Sequence, residues 1–203
     1  AAGADVNKAR TTDGSTPLLM AAENGHTSTV EKLIAAGADV DKAKTDTGST
    51  PLWQAVQNGH TSTVEKLIAA GADVNKATTD GSTPLFMAAQ NGHTSTVEKL
   101  IAAGADVDKA RTTTGSTPLY MAAQNGHTLT VVKLVAASAD VGKARINDGN
   151  TPLWIATQNG HTTIVAKLLQ HGADKSIRGW QNETPLEAAQ RENHAAIVAL
   201  LRS

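Results

Sequence analysis

The sequence contains no cysteine, which excludes a disulfide framework, a thiolate zinc site and a cysteine nucleophile together. A cysteine-free chain suits a reducing compartment, so the cytoplasm is the favoured location. Aromatic residues are almost missing too, with three Trp, one Tyr and one Phe in 203 residues. Any core must therefore be assembled from Leu, Ile, Val and Ala. Neither sign of charge is in surplus: 18 basic residues face 19 acidic ones, a formal net charge of -1. That balance, without a basic run, argues against nucleic acid as the principal ligand. No apolar stretch approaches the ~20 residues of a membrane span, and no signal-peptide pattern is visible. The expectation is a chain without membrane, cofactor or metal.

What is present is a repeat. Thr-Pro-Leu opens at Thr16, Thr50, Thr83, Thr117, Thr151 and Thr184, at spacings of 34, 33, 34, 34 and 33 residues, and all six prolines fall in this signature. Each copy continues into a short helix-like run, such as Phe86-Met87-Ala88-Ala89-Gln90-Asn91, and then into Gly92-His93 or its equivalent. A fixed period of this length carried by Thr-Pro-Leu resembles the ankyrin repeat, a β-turn plus two antiparallel helices per unit. The resemblance covers the whole chain and implies an all-α repeat solenoid, elongated and curved, with β-hairpin tips. It divides the chain into a remnant at 1–12, repeats at 13–46, 47–79, 80–113, 114–147 and 148–180, and a C-terminal capping repeat at 181–203. Residues Ala1 to Asn7 match Ala69 to Asn75, the end of a unit. The chain is therefore expected to begin inside a repeat of a longer array, and targeting signals or a catalytic domain could lie upstream.

Within one unit, Pro84 suits the first helical turn, where its missing N–H is no loss, and Thr83 before it suits the N-cap. Gly92 is placed to end the first helix and Gly104 the second. Ser95 and Glu98 have the spacing of a capping box, and Val97, Leu100 and Ile101 share one face of the second helix. Ala88, Ala89, Ala102 and Ala103 are small enough to let helices approach closely. Residues 24–40, 58–74 and 91–107 are identical over seventeen positions, as recent duplication or deliberate construction would leave them. Later units drift. Ser138 stands where a glycine is expected to adopt left-handed backbone, at a cost of roughly 1 kcal/mol. In the last unit Asn182 and Asn193 replace turn glycines, and Glu183, Glu187, Arg191, Glu192 and Arg202 supply the polar face that ends a solenoid.

The ankyrin resemblance implies binding of a protein partner through the concave face, lined by the hairpin tips and the first helices. Most tips are small and polar, as in Thr78-Thr79-Asp80-Gly81-Ser82. Variation concentrates after Thr-Pro-Leu, where one column reads Leu19, Trp53, Phe86, Tyr120, Trp154 and Glu187, and the next reads Met20, Gln54, Met87, Met121, Ile155 and Ala188. The family usually has His in the first of these columns, so the aromatics are a departure. Rigid rings beside adaptable methionines make a common contact surface, although each ring can equally pack against a neighbouring unit. Trp180, with Arg178 beside it, lies on a tip where other units carry Thr or Asn. It is expected either to contact a partner or to cover the C-terminal cap. Six histidines recur one per unit, from His26 to His194; helices ~8–10 Å apart cannot share an ion held at ~2 Å, so hydrogen-bonded structural roles are expected. Repetition also argues against catalysis, which needs one singular constellation. The expected function is non-enzymatic protein binding by a monomer. The alternatives are a spacer, a module assembling end to end through an uncapped N-terminal face, or the binding arm of a larger enzyme.

Overall fold

The computed structural model describes residue 3 and residues 5–203; Ala1, Ala2 and Ala4, within the expected remnant, lie outside the described residues. Twelve α-helices among the described residues form six antiparallel pairs. The first helices of the pairs are α1 (Pro17–Glu23), α3 (Pro51–Gln57), α5 (Pro84–Asn91), α7 (Pro118–Gln124), α9 (Pro152–Gln158) and α11 (Pro185–Arg191). The second helices are α2 (Thr27–Ala35), α4 (Thr61–Ala69), α6 (Thr94–Ala102), α8 (Thr128–Ala136), α10 (Thr162–Gln170) and α12 (Ala195–Arg202). No helix is long and apolar enough to cross a membrane among the described residues.

Thr-Pro-Leu starts every first helix for the expected reason. The threonine is the N-cap with extended backbone, proline follows at the first helical position, and the Thr Oγ1 accepts the N–H of the residue after Leu, at 3.1 Å for Phe86. Gly92 ends α5 in left-handed geometry with φ 70°. Ser138, Asn182 and Asn193 adopt positive φ as the aligned glycines do. The second helices differ from expectation. Their N-caps are the histidines, and Ser95 makes no capping box with Glu98. A capping box does form in α11, between Thr184 and Glu187.

The core is a thin continuous sheet of side chains. Leu85, Ala88 and Ala89 of α5 are fully buried against Val97 and Leu100 of α6, and the same positions are buried in the neighbouring units. Ile101 is half-buried, whereas Ala102 faces water, so close helix approach rests on Ala88 and Ala89. First helices pack tightly on one another along the stack and second helices more loosely, which puts the concave side on the first helices. No single pair can bury its apolar face alone, so stability comes from stacking.

Polar columns register the units. Thr27, Thr61 and Thr94 Oγ1 meet Thr63, Thr96 and Thr130 Oγ1 of the next pair at 2.8, 3.0 and 2.9 Å. On the second helices, Lys66, Lys99 and Lys133 pair with Glu31, Glu65 and Glu98 of the preceding unit. The tips are turns closed by backbone bonds, such as Lys44 N–H to the Ser49 carbonyl at 2.9 Å. The first five tips share one backbone bond per step, as from Thr45 N–H to the Asp13 carbonyl at 2.9 Å and from Thr79 N–H to the Thr47 carbonyl at 2.9 Å. One bond per step is too short a ladder for a strand, and none forms among the described residues, so the expected β-hairpins are turns.

Candidate functional site

The concave side is built from the tips and the exposed edges of the first helices, and the two columns singled out in the sequence distribute themselves across it unevenly. The first column sits at the third helical position. Leu19 and Tyr120 are 0% exposed, and Phe86 and Trp154 are 1% exposed. These four side chains pack between units and present no contact surface, which corrects the expectation of an aromatic stripe. The physical reason is register: the third residue of each first helix points along the stack axis, into the next unit. Trp53 alone of the rings in this column is half-exposed.

The second column is likewise mixed. Met20, Met87 and Met121 are half-buried. Gln54 and Ile155 are buried, and Gln54 donates from Nε2 to Ser49 Oγ at 3.0 Å, so both belong to the interior and leave the expected contact set. Trp180 stands on a 3-10 turn, Trp180–Asn182, and is 44% exposed. The Arg191 guanidinium lies 5.6 Å from its ring centroid and also pairs with Glu183. One face of Trp180 therefore rests on the cap through Arg191, and the remainder meets water. Arg178 donates to the Asn182 carbonyl and, at 3.0 Å, to Glu187 Oε2, which fixes it within the cap.

The rings inside the stack are held by basic residues of the following tip. Arg111 lies 6.0 Å from the Phe86 centroid and pairs with Asp80. Arg145 lies 5.2 Å from the Tyr120 centroid and donates to the Tyr120 hydroxyl at 3.2 Å. Burial pushes the Tyr120 phenol above its ordinary pKa, against the opposing effect of Arg145. Trp154 Nε1 donates to the Glu183 carbonyl at 3.0 Å, whereas Trp53 Nε1 has no partner. Asp80 is raised by burial, but hydrogen bonds from the Thr78 hydroxyl and the Ser82 N–H, together with Arg111, outweigh that and hold it below the ordinary carboxylate value.

The histidines act as inter-unit bolts. His60, His93, His127, His161 and His194 point Nε2 at the carbonyls of Glu23, Gln57, Gln90, Gln124 and Gln158, at 3.0–3.3 Å. Only a donor satisfies a carbonyl, so Nε2 carries the proton. Asn58, Asn91, Asn125 and Asn159 supply a second donor to the same carbonyls, at 2.8–3.0 Å, for the first four of them. These carbonyls are the unpaired C-terminal groups of the first helices, and capping them from the next unit couples helix termination to stacking.

Two apolar side chains outside the expected contact set are also exposed. Ile146, on the tip before α9, is 71% exposed, and Leu129, on α8, is 68% exposed. Both stand where other units have Thr or Ser, so comparing the units with one another was the available clue. Ile146 and Trp180 occupy adjacent tips, linked by Trp180 N–H donating to Asn150 Oδ1 at 2.7 Å.

A family model described as ankyrin repeats in three copies matches residues 2–78, 54–145 and 129–203. No curated protein matches the chain. Ankyrin repeats are in general protein–protein interaction modules, and the family is typically non-enzymatic. Because the matched segments run together from residue 2 to residue 203 over the same stacked helix pairs, the chain belongs to the ankyrin-repeat family.

Proposed function

We propose that the chain is a non-enzymatic binding scaffold that grips a protein partner along the line of its tips and the exposed edge of its first helices. The observation that carries this reading is the pair Ile146 and Trp180, large apolar side chains standing in water on adjacent tips where the other tips have small polar residues. An apolar group kept exposed in a short turn does nothing for the core; burying it against a partner gains about 25 cal/mol per Å² of apolar surface. Half-exposed Trp53, Met20, Met87 and Met121 extend the same line along the first helices. Their rings and thioethers supply the anchors and the adaptable filler that such contacts use.

The test uses a partner selected against the native chain from a displayed protein library and confirmed to compete for one site. Replacing Ile146 by Thr and Trp180 by Ala should weaken that partner by at least tenfold each, the size expected of central anchors. Replacing Leu129 by Ser, on the opposite side of the stack, should leave affinity unchanged. Equal affinity for all of these variants would remove the tips from the binding surface.

A further inference from the structure

Along the stack, the residue that begins each tip comes into register with the residue in the first variable column of the preceding unit, and Arg111 and Arg145 lie over the Phe86 and Tyr120 rings. Lys44 follows Leu19, Arg111 follows Phe86, Arg145 follows Tyr120 and Gly179 follows Trp154. Backbone hydrogen bonds identify this seat without recourse to sequence numbering. Lys44, Arg111 and Arg145 each donate from N–H to the carbonyl of the residue before the N-cap threonine, at 2.9, 2.9 and 3.0 Å. Thr78 makes the same bond to Ser82 at 3.0 Å and Gly179 to Glu183 at 2.9 Å, so these two occupy the seats after Trp53 and Trp154. Both tips are one residue shorter than the others, which is the origin of the 33-residue spacings from Thr50 to Thr83 and from Thr151 to Thr184. Two of the five steps thus lack the long cation. After Trp154 the Gly179 backbone closes on the ring, where an added Cβ would lie 3.1 Å from it, and the Glu183 carbonyl takes the indole N–H. After Trp53, by contrast, Thr78 leaves the ring edge open.

The consequences are local. Phe86 and Tyr120, each covered by its following arginine, are buried, whereas Trp53 is half-exposed. Beside it opens a groove of about 340 Å³, lined by Trp53, Thr78, Asp80, Ser82, Met87 and Arg111 among others. Ser82 is 3% exposed, and its hydroxyl has no hydrogen-bond partner. In the neighbouring units the equivalent hydroxyls are satisfied, Ser49 by Thr47 at 2.8 Å and Ser116 by Thr114 at 3.0 Å. Asp80 is the one carboxylate in the groove lining, held ionised by the groups described above.

We propose that this groove seats a cationic side chain of a partner polypeptide, an arginine best of all, over the Trp53 ring and beside Asp80. The proposal rests on the concave-face reading and names the chemistry of one of its contacts. The protein supplies its own template twice, since Arg111 on Phe86 and Arg145 on Tyr120 show the arrangement the missing side chain would complete. Indole is the strongest of the three rings for a cation, and a guanidinium adds planar stacking and several donors to the charge. One donor is placed to pair the buried, unsatisfied Ser82 hydroxyl at the groove wall, and another can share Asp80 with Arg111. Trp53 Nε1 and the Arg111 Nε are also unpartnered, and as donors they favour the opposite occupant, an anion. The Arg145 Nε is equally unpartnered beside a filled seat, so an unpaired arginine Nε is not a mark of vacancy.

The three tryptophans give three indole N–H signals by heteronuclear NMR, and Trp53 is assigned from its loss in Trp53→Phe. The native chain is titrated with acetyl-Gly-Arg-Gly-amide and with the lysine, norleucine and glutamate counterparts. The expected result is a saturable shift of the Trp53 signal with the arginine peptide, a several-fold weaker one with lysine, and none with norleucine at the same concentration. Thr78→Arg, which fills the seat from within, should move the Trp53 signal without peptide and abolish the response. An equal response to norleucine, a saturable response to glutamate in place of arginine, or no response to any peptide overturns the proposal. These peptides report on the seat alone, so their failure leaves the tip surface standing. Conversely, a selected partner indifferent to Ile146 and Trp180 removes that surface while the Trp53 titration still decides the seat.

Discussion

Alanine at Gly104 and at Gly92 separates the cost of left-handed backbone from the cost of a clash. Both positions have positive φ, 86° at Gly104 and 70° at Gly92. A Cβ added at Gly104 meets nothing within 4 Å, so Gly104→Ala carries only the backbone term, about 1 kcal/mol. A Cβ at Gly92 would lie 2.6 Å from His127 Nδ1 and must displace that ring. The ring holds the Gln90 carbonyl at 3.0 Å, so its movement forfeits one inter-unit hydrogen bond, a further ~1 kcal/mol. Gly92→Ala should therefore cost about 2 kcal/mol or more, at least twice Gly104→Ala. Urea unfolding followed by far-ultraviolet circular dichroism gives both values, with hydrogen exchange in α6 and α7 read alongside because a stacked array can open in parts. The reciprocal variant, Ser138→Gly, relieves a φ of 66° and should gain up to about 1 kcal/mol, less the extra freedom glycine gives the unfolded chain. Equal costs at Gly92 and Gly104 would refute the coupling of helix termination to stacking through the histidines.

The chain has a single tyrosine, so alkaline difference absorption reads Tyr120 alone. Burial raises its folded-state pKa, so stability is full below the unfolded value of about 10 and is lost as pH rises through the folded one; Tyr120→Phe should remove that loss. On the acid side, Asp80 and Glu187 have folded pKa values below their unfolded ones, Glu187 chiefly through the Thr184 N–H and hydroxyl. Their contribution is present above the unfolded values near pH 4 and disappears as pH falls through the folded ones. Urea midpoints measured downward from about pH 6 should drop, and Asp80→Asn should flatten part of the drop. Acrylamide quenching of single-tryptophan variants should rank Trp180 first, Trp53 second and Trp154 last; a freely quenched Trp154 would contradict its place between units.

Much of the architecture was legible because it is local and repeated. A threonine before a proline caps a helix by its own hydroxyl, a glycine after the last helical residue ends it, and six copies of that pattern leave little freedom to the fold. Local pattern misled where a side chain had a better partner elsewhere. Ser95 and Glu98 have capping-box spacing, yet His93 takes the cap position with its ring turned to the preceding unit, and Glu98 pairs with Lys133 of the next.

The candidate surface was less legible than the fold, and the reason is geometric. On an isolated helical wheel Phe86 lies beside the core face and looks available. In the stack that shoulder faces the next unit, so Phe86, Tyr120 and Trp154 are interior while Trp53, chemically equivalent in sequence, keeps an open edge. The difference lies one unit away: Arg111 and Arg145 cover Phe86 and Tyr120, Gly179 and the Glu183 carbonyl close on Trp154, and Thr78 leaves the Trp53 edge open.

The sequence by itself determined the period, the helix starts and ends and the alanine- and leucine-rich core, because each depends on a residue and its near neighbours in the chain. Only the tertiary structure decided which aromatic side chains are wall and which are surface, where the histidines point, and which step of the array is left open. Those outcomes are set by contacts between residues more than 20 positions apart, such as Arg145 on Tyr120 and His127 on Gln90, and repetition alone cannot rank steps that differ in one side chain and one residue of length.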